Sequence, residues 1–143
     1  MPQQRVLIIG ATSAVATECA RLYAATGATL YLVARNATKL AELASELGTN
    51  AIGTDAGDLN DLTTNDARIA RAFDTLGTID RILIAHGYLG DQLRSERELD
   101  EAVEQITTNY TSAVSLLIPI ANRLEQQGHG HVAVITSVAG ERG

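Results

Sequence analysis

The sequence predicts an α/β domain: a doubly wound parallel sheet of about five strands, order 3-2-1-4-5, with helices on both faces. Three observations predict it. Strand-like and helix-like segments alternate from end to end with no linker, repeat or low-complexity tract, which calls for parallel strands joined by right-handed crossovers. The first apolar run, Val6-Leu7-Ile8-Ile9, is short and rich in β-branched residues, so it reads as a strand buried on both faces. That run ends at Gly10 and passes through Ala11-Thr12-Ser13 into the helical pattern Ala14-Val15-Ala16. The first turn of such a helix offers free N–H groups and the positive end of its dipole, a ready anion site.

The later elements are marked in the same way. Val15, Cys19, Leu22 and Tyr23 recur at helical spacing and are expected to form the stripe that faces the sheet. Gly27 closes this first helix, and Thr29 to Ala34 reads as the second strand. Asn36 is an N-cap for a helix running to about Leu47, with Gly48 as its stop. Ala51 to Thr54 is a short third strand, Asp61 to Leu76 a third helix ended by Gly77, and Arg81 to Ala85 the fourth strand. Ser95 and Glu98 have capping-box spacing and are expected to open a long helix. Its apolar residues Leu99, Val103, Ile106, Tyr110, Ala113 and Leu117 alternate steps of four and three, the pattern of a packing seam, and Pro119 should kink it or end its first part. Val132 to Thr136 is the fifth strand.

The chain of 143 residues suits one domain, 1–143, with a real core. Its net charge of −6 argues against a nucleic-acid partner, which needs a basic face. An acidic chain can still hold an anionic cofactor, because a helix end and one arginine act at short range. No stretch approaches a membrane span, and the four apolar residues after Arg5 are too few for a signal peptide. No membrane partner and a cytoplasmic setting are therefore expected. Cys19 is the single cysteine, which precludes an intrachain disulfide, and its place on the stripe marks it as a small core residue.

Ligands of doubly wound sheets sit at the carboxyl ends of the strands, and Gly10, Arg35, Asp55, Gly87 and Ser137 all fall there. Gly10 lets the backbone turn and approach a phosphate, while Thr12 and Ser13 add hydroxyl donors; a nucleotide diphosphate is the natural guest. The usual fingerprint carries three glycines, and here Ala14 and Ala16 stand at the second and third. A site that prefers NAD puts a carboxylate at the end of the second strand; Ala34 holds that place and Arg35 comes next. Arginine pairs with phosphate in a planar, bidentate way, so NADP(H) is expected over NAD(H).

The ordered set of motifs resembles the short-chain dehydrogenase/reductase family, in a divergent branch and over its N-terminal portion, and the similarity covers essentially the whole chain. Gly10 to Ala16, with Thr12, Ser13, Ala14 and Val15, matches that family's cofactor turn in a Rossmann-like fold. Asp55-Ala56 resembles the acidic residue after the third strand that contacts the adenine. Leu76-Gly77-Thr78-Ile79-Asp80 resembles the approach to the fourth strand, and His129 through Gly140 the fifth strand with its serine, Ser137. Where the family ends its fourth strand in two asparagines, alanine and glycine, this chain has Ile84, Ala85, His86 and Gly87; the glycine that admits the nicotinamide ribose is kept.

The resemblance implies hydride transfer between nicotinamide and a small carbonyl or alcohol substrate. Ser137 would hydrogen-bond the carbonyl oxygen and Asn109 would hold a water of the proton relay. The family's Tyr-x-x-x-Lys pair should lie just over a dozen residues beyond Ser137; the sequence has one lysine, Lys39, and no tyrosine with lysine four places on. The chain therefore reads as truncated before that segment and inactive alone. A non-catalytic dinucleotide-binding protein is the alternative. The bland readings stay open beside these: Ser137 capping a turn, Asn109 bracing the fourth strand, His86 as a pocket wall rather than a base. His129 and His131 have no acidic or cysteine neighbours, and no metal is expected. An uncovered fifth strand and the helix seam imply a homodimer or homotetramer.

Overall fold

Four consecutive apolar side chains, Val6 to Ile9, are completely buried in β1 (Arg5–Ile9), which places this strand at the centre of the sheet. The computed structural model describes residues 2–137 and 141. β1 pairs in parallel with β2 (Thr29–Ala34) on one side and β4 (Arg81–Ile84) on the other. β3 (Ala51–Ala56) adds outside β2, and β5 (His131–Val134) outside β4. The order β3-β2-β1-β4-β5 is the one the alternation implies. Val138, Ala139 and Gly140, the end of the serine motif, lie outside the described residues.

Alternation along β1 divides the core. Val6 and Ile8 face α1 (Ala14–Ala25) and α2 (Ala37–Leu47), together with Leu30, Leu32, Leu40 and Leu43. Leu7 and Ile9 face α3 (Leu62–Leu76) and α6 (Ser112–Gln127), with Val33, Ile69, Phe73, Leu116 and Ile120. Each such fully buried side chain contributes about 1.5–3 kcal/mol of transfer free energy. The short helix α4 (Gln92–Ser95) and α5 (Leu99–Ile106) precede α6, and a π-helical turn, Thr107–Thr111, joins α5 to α6.

The structure corrects four details. In α1 the residues buried on the sheet are Ala16 and Ala20, while Val15 and Leu22 are exposed and Cys19 is half-buried. Two small residues four apart form as regular a stripe as the larger ones, and they let the helix approach the strands closely. Ser95 and Glu98 do not form a capping box: Ser95 ends α4, whose cap is Asp91, and the Glu98 side chain pairs with Arg94 at 2.8 Å. α6 continues through the buried Pro119 to Gln127, so the proline does not end the helix. Leu116 and Ile120, packed on either side of it, hold that stretch against the sheet.

The fourth correction concerns Asp55. β3 runs to Ala56, beyond the end its apolar residues suggest, so Asp55 lies inside the ladder opposite Val33. Its two carboxylate oxygens are divided between Arg68 and Arg71 of α3. The side chains of Asp55 and Arg68 are only 9% and 5% exposed, so this is a buried pair, whereas Arg71 reaches it from solvent. Gly57 makes room: a methyl group there would collide with the Arg68 guanidinium.

Beyond β4, the His86 ring joins the strand end to the π turn. Nε2 lies 2.6 Å from Ser112 Oγ, and Ser112 Oγ donates to the Thr108 carbonyl at 2.7 Å. The single hydroxyl proton is thereby used, so the imidazole is the Nε2–H donor and its buried Nδ1, which lacks a hydrogen-bond partner, carries the lone pair. Burial holds the His86 pKa below its ordinary value, against a smaller upward pull from the Thr108 carbonyl.

These contacts set two expectations for stability. Asp55→Asn leaves Arg68 buried without its anion and should cost about 3–5 kcal/mol in urea unfolding. Arg71→Ala removes only an exposed partner and should cost below about 1 kcal/mol; equal, small losses would contradict the buried-pair assignment. For His86 the unfolded chain takes up a proton near pH 6.5 and the folded chain does so only at lower pH. Its contribution is complete above that pH and is lost as pH falls toward the folded value. Wild-type protein should therefore lose more stability between pH 7.5 and 5.5 than His86→Gln, which keeps a donor and cannot titrate.

Candidate functional site

β1, β2 and β4 end together, and the residues just beyond each strand line a cavity of about 330 Å³. From β1 come Gly10, Thr12 and Ser13; from β2, Ala34, Arg35, Asn36 and Lys39. Asp58, Leu59 and Asn60 extend from β3, Ala85, His86 and Gly87 from β4, and Thr108 reaches in from the π turn. A larger cleft of about 940 Å³ lies at the opposite ends of the strands, around Arg5, Asp80 and His131. Chemistry in doubly wound sheets belongs to the carboxyl ends, and the smaller cavity is the one built there.

Gly10 shapes the floor. Its φ of 79° is open to glycine, and a methyl group on it would meet the backbone of Ala85 and His86. The Gly10 and Ala11 N–H groups both donate to the Val33 carbonyl, at 2.8 and 3.0 Å, which ties the turn to β2. Ser13 Oγ caps α1 by accepting from Ala16 N–H at 3.3 Å. The earlier N–H groups of that first turn have no partner within the helix, and the turn contains no acidic residue. This is an anion-binding end with its positive field uncancelled.

Across the cavity stand two cations. Arg35 and Lys39 are exposed, and neither enters an ion pair among the described residues. Asn36 Oδ1 accepts from Lys39 N–H at 3.0 Å and so starts α2 with the lysine in its first turn. The facing wall carries Asp58, whose Oδ1 accepts from Asn60 N–H at 2.9 Å. Asn60 Nδ2 donates to Thr108 Oγ1 at 2.7 Å, and the buried Asn65 donates to the Leu59 carbonyl at 2.9 Å. These bonds fix the 58–60 segment against α3 and the π turn.

Of the residues expected from sequence, Gly10, Thr12, Ser13, Arg35, Ala85, His86 and Gly87 line the cavity. Ala14 and Val15 lie on the exposed side of α1, and Asp55-Ala56 lies within β3 outside the cavity lining. Asn109 stands beside Gly87 with both ends of its amide engaged: Oδ1 accepts from Tyr88 N–H and Nδ2 donates to the Tyr88 carbonyl, each at 2.7 Å. It braces the segment after β4 rather than β4 itself. Ser137 is exposed just beyond β5.

Lys39, Asp58, Asn60 and Thr108 were not singled out by sequence. Lys39 carried a signal, since the first turn after the Asn36 cap must lie at the same end of the sheet as Arg35. Asp58 carried one too, as the acidic residue just past the true strand end. Asn60 and Thr108 meet across a separation of 48 residues, which no local pattern reveals.

Known proteins resemble this chain in sequence and in fold. Residues 4–143 match the family model described as short chain dehydrogenase. An uncharacterised oxidoreductase of Mycobacterium tuberculosis (strain H37Rv) is 39% identical over 140 residues, covering 96% of this chain and 56% of the relative. An uncharacterised oxidoreductase of Streptomyces coelicolor is 36% identical, covering 99% of this chain and 57% of the relative. The crystal structure of levodione reductase superposes with a TM-score of 0.89 at 27% identity, over 98% of this chain and 56% of that one. The chain spans about half the length of these curated relatives. Family match, strand order and the cavity at the ends of β1, β2 and β4 agree: the chain belongs to the short-chain dehydrogenase family.

Proposed function

We propose that these residues form the NADP(H)-binding portion of a short-chain oxidoreductase that moves hydride between nicotinamide and a small carbonyl or alcohol substrate. The observation that carries the reading is the pairing of an uncancelled helix N-terminus with two cations, Arg35 and Lys39, that enter no ion pair among the described residues, across one cavity. The chemistry of the donor set fits a dinucleotide. The first turn of α1, reached over Gly10, suits the pyrophosphate; Arg35 and Lys39 suit a 2′-phosphate; Asp58 suits the adenine amino group; Ala85 to Gly87 suits the nicotinamide ribose. Placing Asp58 there transfers to it the role that sequence gave Asp55. When bound, the nicotinamide would give hydride to a carbonyl or take it from an alcohol.

This chain's own part is to orient the dinucleotide and wall off one side of it. Ser137 would hydrogen-bond the substrate carbonyl oxygen. The sequence has no tyrosine with lysine four places on, so no residue here is assigned the proton donor. We infer that the 143 residues bind cofactor without efficient turnover. The binding-only alternative rests on the absence of that motif from the sequence; Asn109 does not decide it, since its amide keeps a second N–H and a second lone pair beyond those on the Tyr88 backbone. The exposed Leu99, Val103 and Ile106 of α5, with Tyr110 of the π turn, support a homodimer or homotetramer.

Titration calorimetry with NADPH and NADH tests the assignment. Arg35→Ala should weaken NADPH about 10- to 100-fold, the worth of hydrogen bonds to a charged group. NADH affinity should stay nearly constant. Unchanged NADPH affinity would remove Arg35 from the phosphate site, and carbonyl-dependent NADPH oxidation by the same protein would refute the absence of turnover. Sedimentation at micromolar concentration should give a dimer or tetramer; a monomer would contradict the seam.

A further inference from the structure

The segment after Gly87 leaves the sheet and runs to α5 with exposed apolar residues, Leu89 at 98% and Leu93 at 73% exposure. Asn109 holds its start by the Tyr88 backbone. Glu101, in the first turn of α5, holds the Tyr88 side chain and the residues that follow. Its carboxylate is 5% exposed, and one oxygen accepts from Tyr88 Oη at 2.9 Å and from Asp91 N–H at 2.8 Å. The other oxygen lies 3.4 Å from Arg94 Nη1. Asp91 in turn caps α4 through Arg94 N–H at 3.0 Å. One turn further along α5, Gln105 packs so tightly on Gly90, whose φ is 74°, that a methyl group there would collide with its amide.

We propose that Glu101 is a positioning residue for the nicotinamide end of the cavity. A single buried carboxylate gathers the phenol, one backbone N–H and a guanidinium of the same segment, so that Gly87 and Tyr88 stand in place before ligand arrives. This rests on the dinucleotide reading above. The adenine end is built by other elements, β2, α2 and the 58–60 segment, and the Glu101 carboxylate bonds none of them among the described residues. Its loss is therefore expected to fall on the nicotinamide half of the cofactor. Its engagement is also visible in the two acids themselves: the Asp91 N–H and the Tyr88 hydroxyl hold the Glu101 carboxyl below the usual carboxylate range, and the Tyr88 phenol is raised in return.

The test compares full-chain wild type, Glu101→Ala and Glu101→Gln by calorimetry with NADPH and with adenosine 2′,5′-bisphosphate, alongside amide hydrogen exchange. Glu101→Ala should weaken NADPH about tenfold, the scale expected when a preorganised wall is lost. The bisphosphate, which fills only the adenine half, should bind within about twofold of wild type. Glu101→Gln keeps an acceptor for Tyr88 and Asp91 and should restore most of the NADPH affinity. The Asp91 amide should exchange faster in Glu101→Ala and near the wild-type rate in Glu101→Gln. Equal weakening of both ligands, or an unchanged Asp91 amide, would overturn the proposal. Wild-type protein that binds neither ligand would overturn the dinucleotide reading itself, and the Asp91 exchange rate would then decide alone whether Glu101 holds the segment.

Discussion

The site depends on one steric constraint, the contact between Gly10 and the backbone just past β4. With no side chain and a φ of 79°, Gly10 lies against Ala85 and His86 while its N–H and that of Ala11 reach the Val33 carbonyl. Three strand ends are thereby drawn to one point. The turn cannot move without breaking two backbone hydrogen bonds, and β1 beneath it is fully buried on both faces from Val6 to Ile9. Any larger residue would push β4 away from β1 and open the cavity floor. The positive end of α1 is aimed into the cavity by this contact and not by the helix itself.

Charge is used differently at the two ends of one short stretch. Asp55 and Asp58 are both acidic, yet Asp55 is saturated by two arginines and shielded from the cavity, while Asp58 keeps a face toward it. A carboxylate with two guanidinium partners has little left to offer a ligand, and its removal is felt as stability. One with a single backbone donor holds a turn and can still accept from another group. The same division explains how a chain of net charge −6 can receive a polyanion. Its buried arginine is neutralised locally, and Arg35 and Lys39, which enter no ion pair among the described residues, stand where the phosphate would arrive.

The sheet was legible in the sequence, because a strand buried on both faces leaves an unbroken apolar run and its end is marked by glycine or a small residue. Gly10, Arg35 and Gly87 could be placed in the site for that reason. Helix faces were less legible. In α1, Val15, Cys19 and Leu22 outweigh Ala16 and Ala20 in hydrophobicity, yet closeness to the sheet rewards the smaller residues. The extent of β3 was hidden because its edge position lets Asp55 and Ala56 continue, past the expected end at Thr54, a ladder that a charged residue would be read as ending. Ser95 and Glu98 matched a capping pattern by spacing alone; Ser95 falls at the end of α4, and α5 starts at Glu98 without a side-chain cap.

The least legible part was the long helical stretch from α5 through α6, and its organisation explains why. The residues by which it holds the rest of the molecule change character along the way. Glu101, Thr108, Asn109 and Ser112 act through hydrogen bonds on the Tyr88 segment, on Asn60 and on His86. Leu116 and Ile120, further on, pack against the sheet. The Thr107–Thr111 turn lies where the first role gives way to the second, and a π turn adds residues to the circuit that a regular 3.6-residue repeat would not. Asn109 belongs to that turn, and it therefore bonds the Tyr88 backbone from a position where an α-helix would disfavour asparagine. From the polar half Thr108 reaches the cavity, while its neighbours hold the segments that line it; the apolar half anchors the stretch to the core. A periodic apolar seam read from Leu99 to Leu117 describes the outer surface of the first half, where Leu99, Val103, Ile106 and Tyr110 remain exposed, and says nothing of the polar face beneath it.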